Sequence, residues 1–471
     1  MYSSTKKRST AMRMVNSRKP GPLILLTFIV TLILAFWKLR RDQYASSSSL
    51  PPEIANTVYN KKVDPLRCRK LPGAADTLVV MKTGATDFIS QVPTHFDTTF
   101  LCAPNYIIFS DHDEIFRGQQ IHDVLTTVSE GFRNEHPDFE IYRRLSQSGR
   151  AALVPHENKQ FTFKAVDGDV TGGKGESAGW KLDKWKFLPM YHQTLTLSPG
   201  YKWYLFIEPD SAIFWSTVLK YEQRLDHTKP YYMGSQVLIG DLEFAHGGSG
   251  YLVSDTALKR VVEYYTSHKE ESEKFTEEQW AGDAVAGETF KKADAALTRA
   301  WPIIQGDRPG EFPWGRDHGD RPVWCFPVMT WHHMSAADVE EMWEFEQRWI
   351  ADGGLDNTTT GGYLRYRDVF NDHILPQMKT AKSGWDNGCE DAQHHATDLP
   401  SCFRACEKDA ECLQYRFDLQ TSKCTTSREP RLGKKAVYTE AFVSGWLYAR
   451  VEQWRRKRPV CERDFWIESN D

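Results

Sequence analysis

Short apolar runs alternate with amphipathic stretches from Asp76 onward. Runs typical of strands cover Leu78–Met81, Tyr106–Phe109, Trp203–Ile207, Tyr231–Leu238 and Val323–Met329. Helical periodicity marks Leu182–Gln193, Ser254–Thr266 and Ala336–Ile350. Because strands and helices alternate along the chain, the pattern predicts an α/β fold with a mostly parallel sheet.

A different pattern precedes this region. The run from Gly21 to Trp37 is apolar except for two threonines, and the first twenty residues contain basic but no acidic side chains. Such a run is close to the minimum length for crossing a bilayer, and the basic flank predicts a cytosolic N-terminus. We therefore expect a cytosolic tail at 1–20, a transmembrane signal-anchor at 21–38 and a stem at 39–75. A cleaved signal peptide is the alternative.

The short span suits the thinner membranes of the early secretory pathway, so we expect a single-pass type II protein of the Golgi or endoplasmic reticulum. In that topology the tripeptide Asn357-Thr-Thr is an acceptor for N-linked glycan. The net charge of −4 gives no reason to expect nucleic acid as a partner. The chain has no G-x-G-x-x-G or Walker loop, which disfavours a dehydrogenase or a P-loop enzyme.

Cysteines are concentrated near the C-terminus, where six of the nine follow residue 380. In an oxidising lumen this density is typical of a small disulfide-stapled module. We expect that module at 385–465, after a main domain at 76–380. The spacing alone does not choose among the possible pairings, and zinc binding is the alternative. An odd number of cysteines leaves at least one unpaired or bonded to another chain, and Cys325 is the expected residue.

The most informative segment is the strand Trp203–Ile207, which runs directly into two acids, Glu208 and Asp210. In extended backbone, side chains two residues apart point to the same side. At the carboxyl end of a parallel strand such a pair faces the crevice where α/β enzymes bind ligands. The pair suits a divalent cation that also binds phosphate oxygens. Two solvated acids at a strand end are the alternative interpretation.

Three later segments contain further candidates. Gly247 and Gly248 allow close approach of the backbone to a ligand, although a plain tight turn explains them equally well. Asp283 lies among small residues before a helical pattern and suits either a general base or a helix cap. In extended backbone His332 and His333 would point in opposite directions, so at most one faces the site. That histidine is either a cation ligand or a structural residue.

In this order Glu-Pro-Asp, Gly-Gly-Ser-Gly, Gly-Asp-Ala-Val-Ala-Gly and Trp-His-His resemble the motifs of the Fringe-like branch of glycosyltransferase family 31. That branch includes the core 1 β1,3-galactosyltransferases. The resemblance covers about residues 76 to 345 and implies the metal-dependent, nucleotide-sugar-binding fold called GT-A. Two positions depart from the family pattern, since Pro209 replaces an acid and Gly282 replaces a glutamate.

The resemblance also implies roles for individual residues. It implies a metal site formed by Glu208, Asp210 and His332, and it makes Asp283 the catalytic base. The implied donor contacts are Thr83, Lys186, Gly247 and Gly248, with Asp111 on the uridine by analogy of position. The implied reaction is inverting transfer of a hexose, galactose or N-acetylglucosamine, from a UDP-sugar. The acceptor would be a glycan or glycoprotein hydroxyl, the linkage β1,3, and the cofactor Mn²⁺ or another divalent cation.

The segment that starts at Cys402 resembles a PAN or apple module. This resemblance implies the disulfides Cys402–Cys424 and Cys406–Cys412 and a role in binding protein or carbohydrate. Two other functions stay open. The altered acidic motif is compatible with a catalytically inactive membrane scaffold. Paired carboxylates are also compatible with a hydrolase or with a transferase of another family.

Overall fold

The computed structural model describes residues 67–154, 157, 177–356, 361–436, 441–463 and 465–468. The predicted tail, signal-anchor, most of the stem and Asn357 lie outside these residues. No helix among the described residues is long and apolar enough to cross a membrane. The described residues belong to one compact unit.

A mixed, mostly parallel sheet of eight strands forms the centre of the fold, as the alternating pattern predicts. In chain order its strands are β1 Thr77–Lys82, β2 Tyr106–Ser110, β3 Glu114–Phe116, β4 Gln119–Asp123, β5 Trp203–Ile207, β6 Tyr232–Gly234, β7 Tyr251–Ser254 and β8 Leu297–Arg299. The spatial order is β8-β6-β7-β5-β1-β2-β4-β3. β1 pairs in parallel with β2 and β5, β2 with β4, and β6 with β8. The remaining pairs are antiparallel.

Hydrophobic side chains cover both faces of this sheet. Val79 and Met81 of β1 belong to one core cluster, and Leu78 and Val80 belong to the other. Because successive side chains of a strand point to opposite faces, one continuous apolar run supplies both clusters. The two core clusters therefore lie on opposite sides of the sheet, and its strand ends are left to carry polar residues.

Helices pack on both faces. They include α1 Phe88–Phe96, α2 Glu140–Ser148, α3 Ala178–Asp183, α4 Phe187–Leu197, α5 Trp215–Glu222, α6 Asp255–Ser267, α7 Lys269–Glu278, α8 Gly282–Lys292 and α9 Ala336–Ala351. Other short helices cover Thr99–Cys102, Glu130–Glu135, Tyr366–Val369 and Leu375–Gln377. Two predicted boundaries have visible causes. Ser254 caps α6 through the N–H of Ala257, and Ser335 forms a capping box at the start of α9.

The structure corrects three predicted elements. The helix predicted over Leu182–Gln193 is interrupted by a 3₁₀ turn at Lys184–Lys186. The run Tyr231–Leu238 is split between β6 and a separate hairpin of Gln236–Ile239 with Leu242–Ala245. The strand predicted at Val323–Met329 is wrong, since the segment starts with a 3₁₀ turn at Val323–Cys325 and the following strand covers only Thr330–Trp331. This run is apolar because it is buried in the core, not because it pairs in a sheet.

The cysteine-rich segment forms a five-stranded antiparallel sheet covered by a helix. Its strands are β9 Lys382–Ser383, β10 Ala392–His395, β11 Gln414–Asp418, β12 Lys423–Ser427 and β13 Phe442–Trp446, in the spatial order β9-β13-β11-β12-β10. The helix is α10 Leu399–Lys408, and α11 Tyr448–Arg456 follows the sheet. Both disulfides that the resemblance implies, Cys402–Cys424 and Cys406–Cys412, are present.

The expectation that Cys325 is unpaired is wrong. Cys325 is bonded to Cys461, 136 residues away, because the end of the chain folds back onto the main core. Cys68 pairs with Cys102, so among the nine cysteines only Cys389 is a free thiol, and it is buried. A pairing across this separation depends on tertiary structure, and local spacing does not reveal it.

At one point the cysteine-rich segment and the main core touch through main-chain atoms of two glycines. The N–H of Gly433 donates to the carbonyl of Gly310 at 2.6 Å. A Cβ added at Gly310 would lie 2.2 Å from the carbonyl oxygen of Gly433. Gly310 therefore has no room for a side chain at this joint, and the two segments meet at van der Waals distance.

Candidate functional site

A cleft opens at the carboxyl ends of β1 and β5. Its empty volume is about 320 Å³, and its lining is largely polar: Lys82, Thr83, Gly84, Asp87, Asp183, Glu208, Pro209 and Asp210. Since β1 and β5 are parallel neighbours, residues that follow their last positions meet at one edge of the sheet. The acids identified in the sequence therefore do face a cleft.

Asp210 lies beside two histidines. Its carboxylate is 3.2 Å from Nε2 of His332, and one ligand atom from each of Asp210, His332 and His333 lies within 4.8 Å of the others. The expectation that only one histidine faces the site is wrong, because the backbone is not extended at this point. His333 has a φ of +59°, which turns its ring toward that of His332, with ring centroids 3.8 Å apart.

The glycine-rich turn makes room for this group. A Cβ at Gly248 would lie 2.1 Å from Nε2 of His332, so any larger residue would displace the imidazole. The carbonyl of Gly248 accepts a hydrogen bond from the Ser211 hydroxyl at 2.7 Å, which fixes the turn against the segment that carries Asp210. Gly250, with a φ of +76°, allows the chain to turn into β7.

Electrostatics keeps Asp210 ionised. Burial raises the pKa of its carboxyl, but His332 and His333 outweigh burial and lower it. Burial lowers the pKa of His332, but Asp210 outweighs burial and raises it. Burial and the neighbouring His332 lower the pKa of His333 to about 3, so that imidazole is neutral at physiological pH.

These residues fit a divalent cation. One carboxylate oxygen and two imidazole nitrogens are a common donor set for divalent transition metals. Ligand atoms bound at about 2.1 Å would lie about 3–4 Å apart, so the group needs only a small inward movement. Such a site leaves coordination positions open for the oxygens of a substrate.

Among the described residues, the group of possible cation ligands does not include Glu208. Its carboxylate is paired with Nζ of Lys82 at 3.0 Å, and Lys82 also pairs with Asp183. Burial lowers the pKa of Lys82, but the two acids outweigh burial and raise it well above its usual range. The first acid of the Glu-Pro-Asp motif is therefore neutralised by a lysine instead of facing the histidines.

The predicted donor contacts from three segments lie together. Lys186 is paired with Asp111 at 2.9 Å and donates to the carbonyl of Thr83 at the same distance. The N–H of Ala85 donates to the other Asp111 oxygen at 2.7 Å. All three predicted residues are at least 95% buried, and the Thr83 hydroxyl has no hydrogen-bond partner. An unsatisfied buried hydroxyl beside a cleft is one place where a ligand would be bound.

Asp283 lies in the first turn of α8, beside the glycine-rich turn. The N–H of Gly247 donates to its carboxylate at 3.1 Å. Burial, opposed in part by that hydrogen bond, raises the pKa of Asp283 to about 6. The carboxylate also accepts from the N–H of Ala284 at 3.0 Å, but the N-cap of α8 is Ala281 and no described side chain caps this helix, so the helix-cap interpretation of Asp283 is wrong. Its role as a general base stays a prediction.

Sequence reasoning missed four residues of the site. Lys82 and Asp183 form an ion pair in the cleft, where Lys82 also neutralises Glu208. His333 reaches Asp210 only because its φ is positive. His95, on α1, contacts the carbonyl of Pro209 at 2.8 Å and so holds the Glu-Pro-Asp turn. A lysine at the end of a buried strand was a usable signal for Lys82, whereas the other three depend on tertiary contacts.

No protein-family model matches the chain, and a search of curated proteins gives no match either. The chemistry of the cleft and the sequence motifs that line it are therefore the basis for a function.

Proposed function

We propose that this protein is an inverting, metal-dependent glycosyltransferase with a GT-A-type domain. It would transfer a hexose, galactose or N-acetylglucosamine, from a UDP-sugar to a hydroxyl of a glycan or glycoprotein, in a β1,3 linkage. One observation carries the proposal. A group suited to a divalent cation and a separate carboxylate with a raised pKa both border the glycine-rich turn at the same edge of the sheet.

On the donor side, Asp210, His332 and His333 would hold the cation, which would supply positive charge against the diphosphate leaving group. Lys186 holds Asp111 in an ion pair, and the remaining lone pairs of the Asp111 carboxylate would accept hydrogen bonds from the nucleotide. Gly247 and Gly248 bring backbone close to the sugar without side chains that would block it.

On the acceptor side, Asp283 accepts the proton of the attacking hydroxyl. A pKa of about 6 keeps most of this carboxyl ionised at neutral pH while leaving it a better base than an ordinary aspartate. The hydroxyl oxygen forms a bond to the anomeric carbon as the bond from that carbon to the UDP oxygen breaks. Attack from the face opposite UDP inverts the configuration, so an α-linked donor gives a β-linked product.

The proposed setting is the lumen of the Golgi or endoplasmic reticulum. It rests on the N-terminal apolar run and its basic flank. The presence of four disulfides in the structure agrees with an oxidising compartment. A C-terminal tag should be protected from protease in sealed microsomes, and Asn357 should carry N-glycan. A tag that is digested without detergent would contradict this topology.

A donor screen tests the activity. A secreted chain of residues 60–471 is incubated with single UDP-sugars and glycan acceptors, and UDP release is measured with Mn²⁺ or with EDTA. We expect release that depends on both Mn²⁺ and the acceptor. Binding of UDP with no turnover for any donor would favour an inactive scaffold. Hydrolysis of glycosides that is insensitive to EDTA would favour a hydrolase.

A further inference from the structure

Two tryptophans, Trp280 exposed and Trp180 partly buried, stack together on segments that lead into the cleft. The rings of Trp180 and Trp280 have centroids 5.9 Å apart and planes inclined by 18°. Trp280 is 48% exposed, more than any other tryptophan among the described residues. A single exposed apolar side chain is ordinary. A stacked pair of large rings, one of them open to solvent, requires an explanation from its position.

Trp180 is connected to the cleft through its helix. It lies three residues before Asp183 on α3, and residues at this spacing share one face of a helix. Asp183 in turn pairs with Lys82 inside the cleft. A Cβ at Gly179 would lie 3.0 Å from the Thr86 hydroxyl, so the start of this helix rests on the loop after β1. Trp180 therefore stands one helical turn from a cleft-lining carboxylate.

Trp280 is connected to the proposed base. It lies three residues before Asp283 and two before Gly282. A Cβ at Gly282 would lie 2.4 Å from the ring of Phe187, and Nζ of Lys82 lies 4.5 Å from the centre of that ring. Trp280 thus lies in the segment that leads directly into the helix start carrying Asp283, beside the phenylalanine that packs on Lys82.

The pair is fixed before any ligand binds. Nζ of Lys184, which follows α3, donates to the carbonyls of Glu277 and Gln279 at 3.1 and 3.0 Å. These two carbonyls belong to the segment that leads into Trp280. The two tryptophan-bearing segments are therefore tied together by one lysine. A preorganised surface loses little conformational entropy on binding.

We propose that Trp180 and Trp280 bind one hexopyranose ring of the acceptor by stacking and so present its hydroxyl to Asp283. A hexopyranose such as galactose has one ring face made of C–H groups, and the flat apolar indole covers that face while the hydroxyls stay hydrated. The assignment of this ring as the acceptor rests on the proposed transferase function. The same rings could also stack on the uracil of the donor, so the test separates a sugar from a nucleotide.

The test uses full-length protein in detergent. Saturation-transfer NMR measures binding of methyl β-galactoside and methyl β-glucoside, calorimetry measures UDP affinity with Mn²⁺, and transfer assays give the acceptor KM. The variants are Trp280→Ala, Trp280→Phe and the matched control Phe403→Ala, which removes an exposed aromatic ring from α10. We expect Trp280→Ala to abolish the methyl glycoside signal and to raise the acceptor KM about tenfold, without change in UDP affinity.

Trp280→Phe should recover part of both losses, and Phe403→Ala should behave as wild type. Loss of UDP affinity in Trp280→Ala with unchanged glycoside binding would overturn the proposal in favour of base stacking. UDP-sugar turnover with an unchanged acceptor KM in Trp280→Ala would overturn it while leaving the transferase function intact. If glycoside binding depends on Trp280 but no donor gives turnover, the sugar-binding role of the two tryptophans is supported and the transferase function is refuted.

Discussion

The cleft and the cysteine-rich segment are stabilised by different means. In the cleft, Lys82, Asp111 and Lys186 are nearly inaccessible to solvent, and ion pairs join Lys82 to Glu208 and Lys186 to Asp111. In the cysteine-rich segment, the four cystine residues make up most of a small core that two bonds close. Buried ion pairs contribute little net stability because desolvation is costly, whereas disulfides stabilise small folds directly. The two regions therefore differ in what holds them together, since charge pairs dominate the cleft and covalent bonds dominate the small core of the cysteine-rich segment.

The two regions nevertheless share one core. Trp454 of α11 packs against Trp324 and Phe370, and Ile467 is buried in the larger cluster. The cysteine-rich segment is thus joined to the main core by aromatic packing and by the Cys325–Cys461 bond. A substitution in one region should therefore alter the stability of the other only if it removes this aromatic packing or this disulfide.

Substitutions in the cleft should have the largest effects. Asp210→Asn removes the proposed charged ligand with little change in volume, so Mn²⁺-dependent UDP binding and transfer should be lost together. Asp283→Asn removes the proposed base and leaves the proposed cation site, so UDP binding should stay near normal while turnover falls by roughly 10²–10⁴-fold. Calorimetry with and without Mn²⁺, alongside transfer rates, separates the two variants.

The exposed Asp320→Asn is the matched control for both, and it should change neither quantity. Mn²⁺-dependent binding that survives in Asp210→Asn would mean that the Glu-Pro-Asp segment is only a strand end. Undiminished transfer by Asp283→Asn would remove this residue from the mechanism.

Removal of disulfides should sharpen the contrast in stability. Cys325→Ser/Cys461→Ser opens a loop of 136 residues, for which chain entropy gives a loss of about 5 kcal/mol in the free energy of unfolding. Cys406→Ser/Cys412→Ser opens a separation of only 6 residues, and the same relation gives about 2 kcal/mol. Denaturant unfolding of the two double variants measures this difference. Equal losses would show that strain or packing, and not loop length, sets the contribution of these bonds.

The pH dependence of transfer should report the electrostatics of the cleft. Since burial raises the pKa of Asp283 to about 6, this carboxyl is protonated at lower pH and accepts no proton. We expect kcat/KM to fall about tenfold for each pH unit below 6 and to level off above it. Thermal unfolding over the same range is the control, because a parallel loss of structure would give the same profile for another reason.

Substitution of Cys389, the free thiol of the cysteine-rich segment, should have the smallest effect on stability. Cys389 is buried, its pKa is raised mainly by burial, and its Sγ donates to the carbonyl of Gln414 at 3.3 Å. Native protein should therefore resist alkylation, and denatured, unreduced protein should be labelled at Cys389 alone. Cys389→Ala should cost about 1 kcal/mol, which denaturant unfolding can detect. Labelling at Cys402 or Cys412 would contradict the pairing seen in the structure.

The sequence predicted β5 to the residue and placed two acids at its end, because an apolar strand followed by carboxylates is a local pattern. It did not predict that Glu208 pairs with Lys82, since that contact joins two strands far apart in the chain. His333 was missed because a non-glycine residue with positive φ is rare. Cys325 was misassigned for the same reason as Glu208, because its partner is set by tertiary folding and not by spacing.

The glycine pair Gly310 and Gly433 limits how this protein can be rebuilt by evolution or by engineering. A Cβ at Gly310, in the main core, would collide with the carbonyl oxygen of Gly433, whereas a Cβ at Gly433 would collide with Asp386 of its own segment. A recombinant chimera that borrowed its cysteine-rich segment from another chain would therefore have to keep the glycine at 310. The joint constrains the main core, although the two parts look like separable cassettes in sequence.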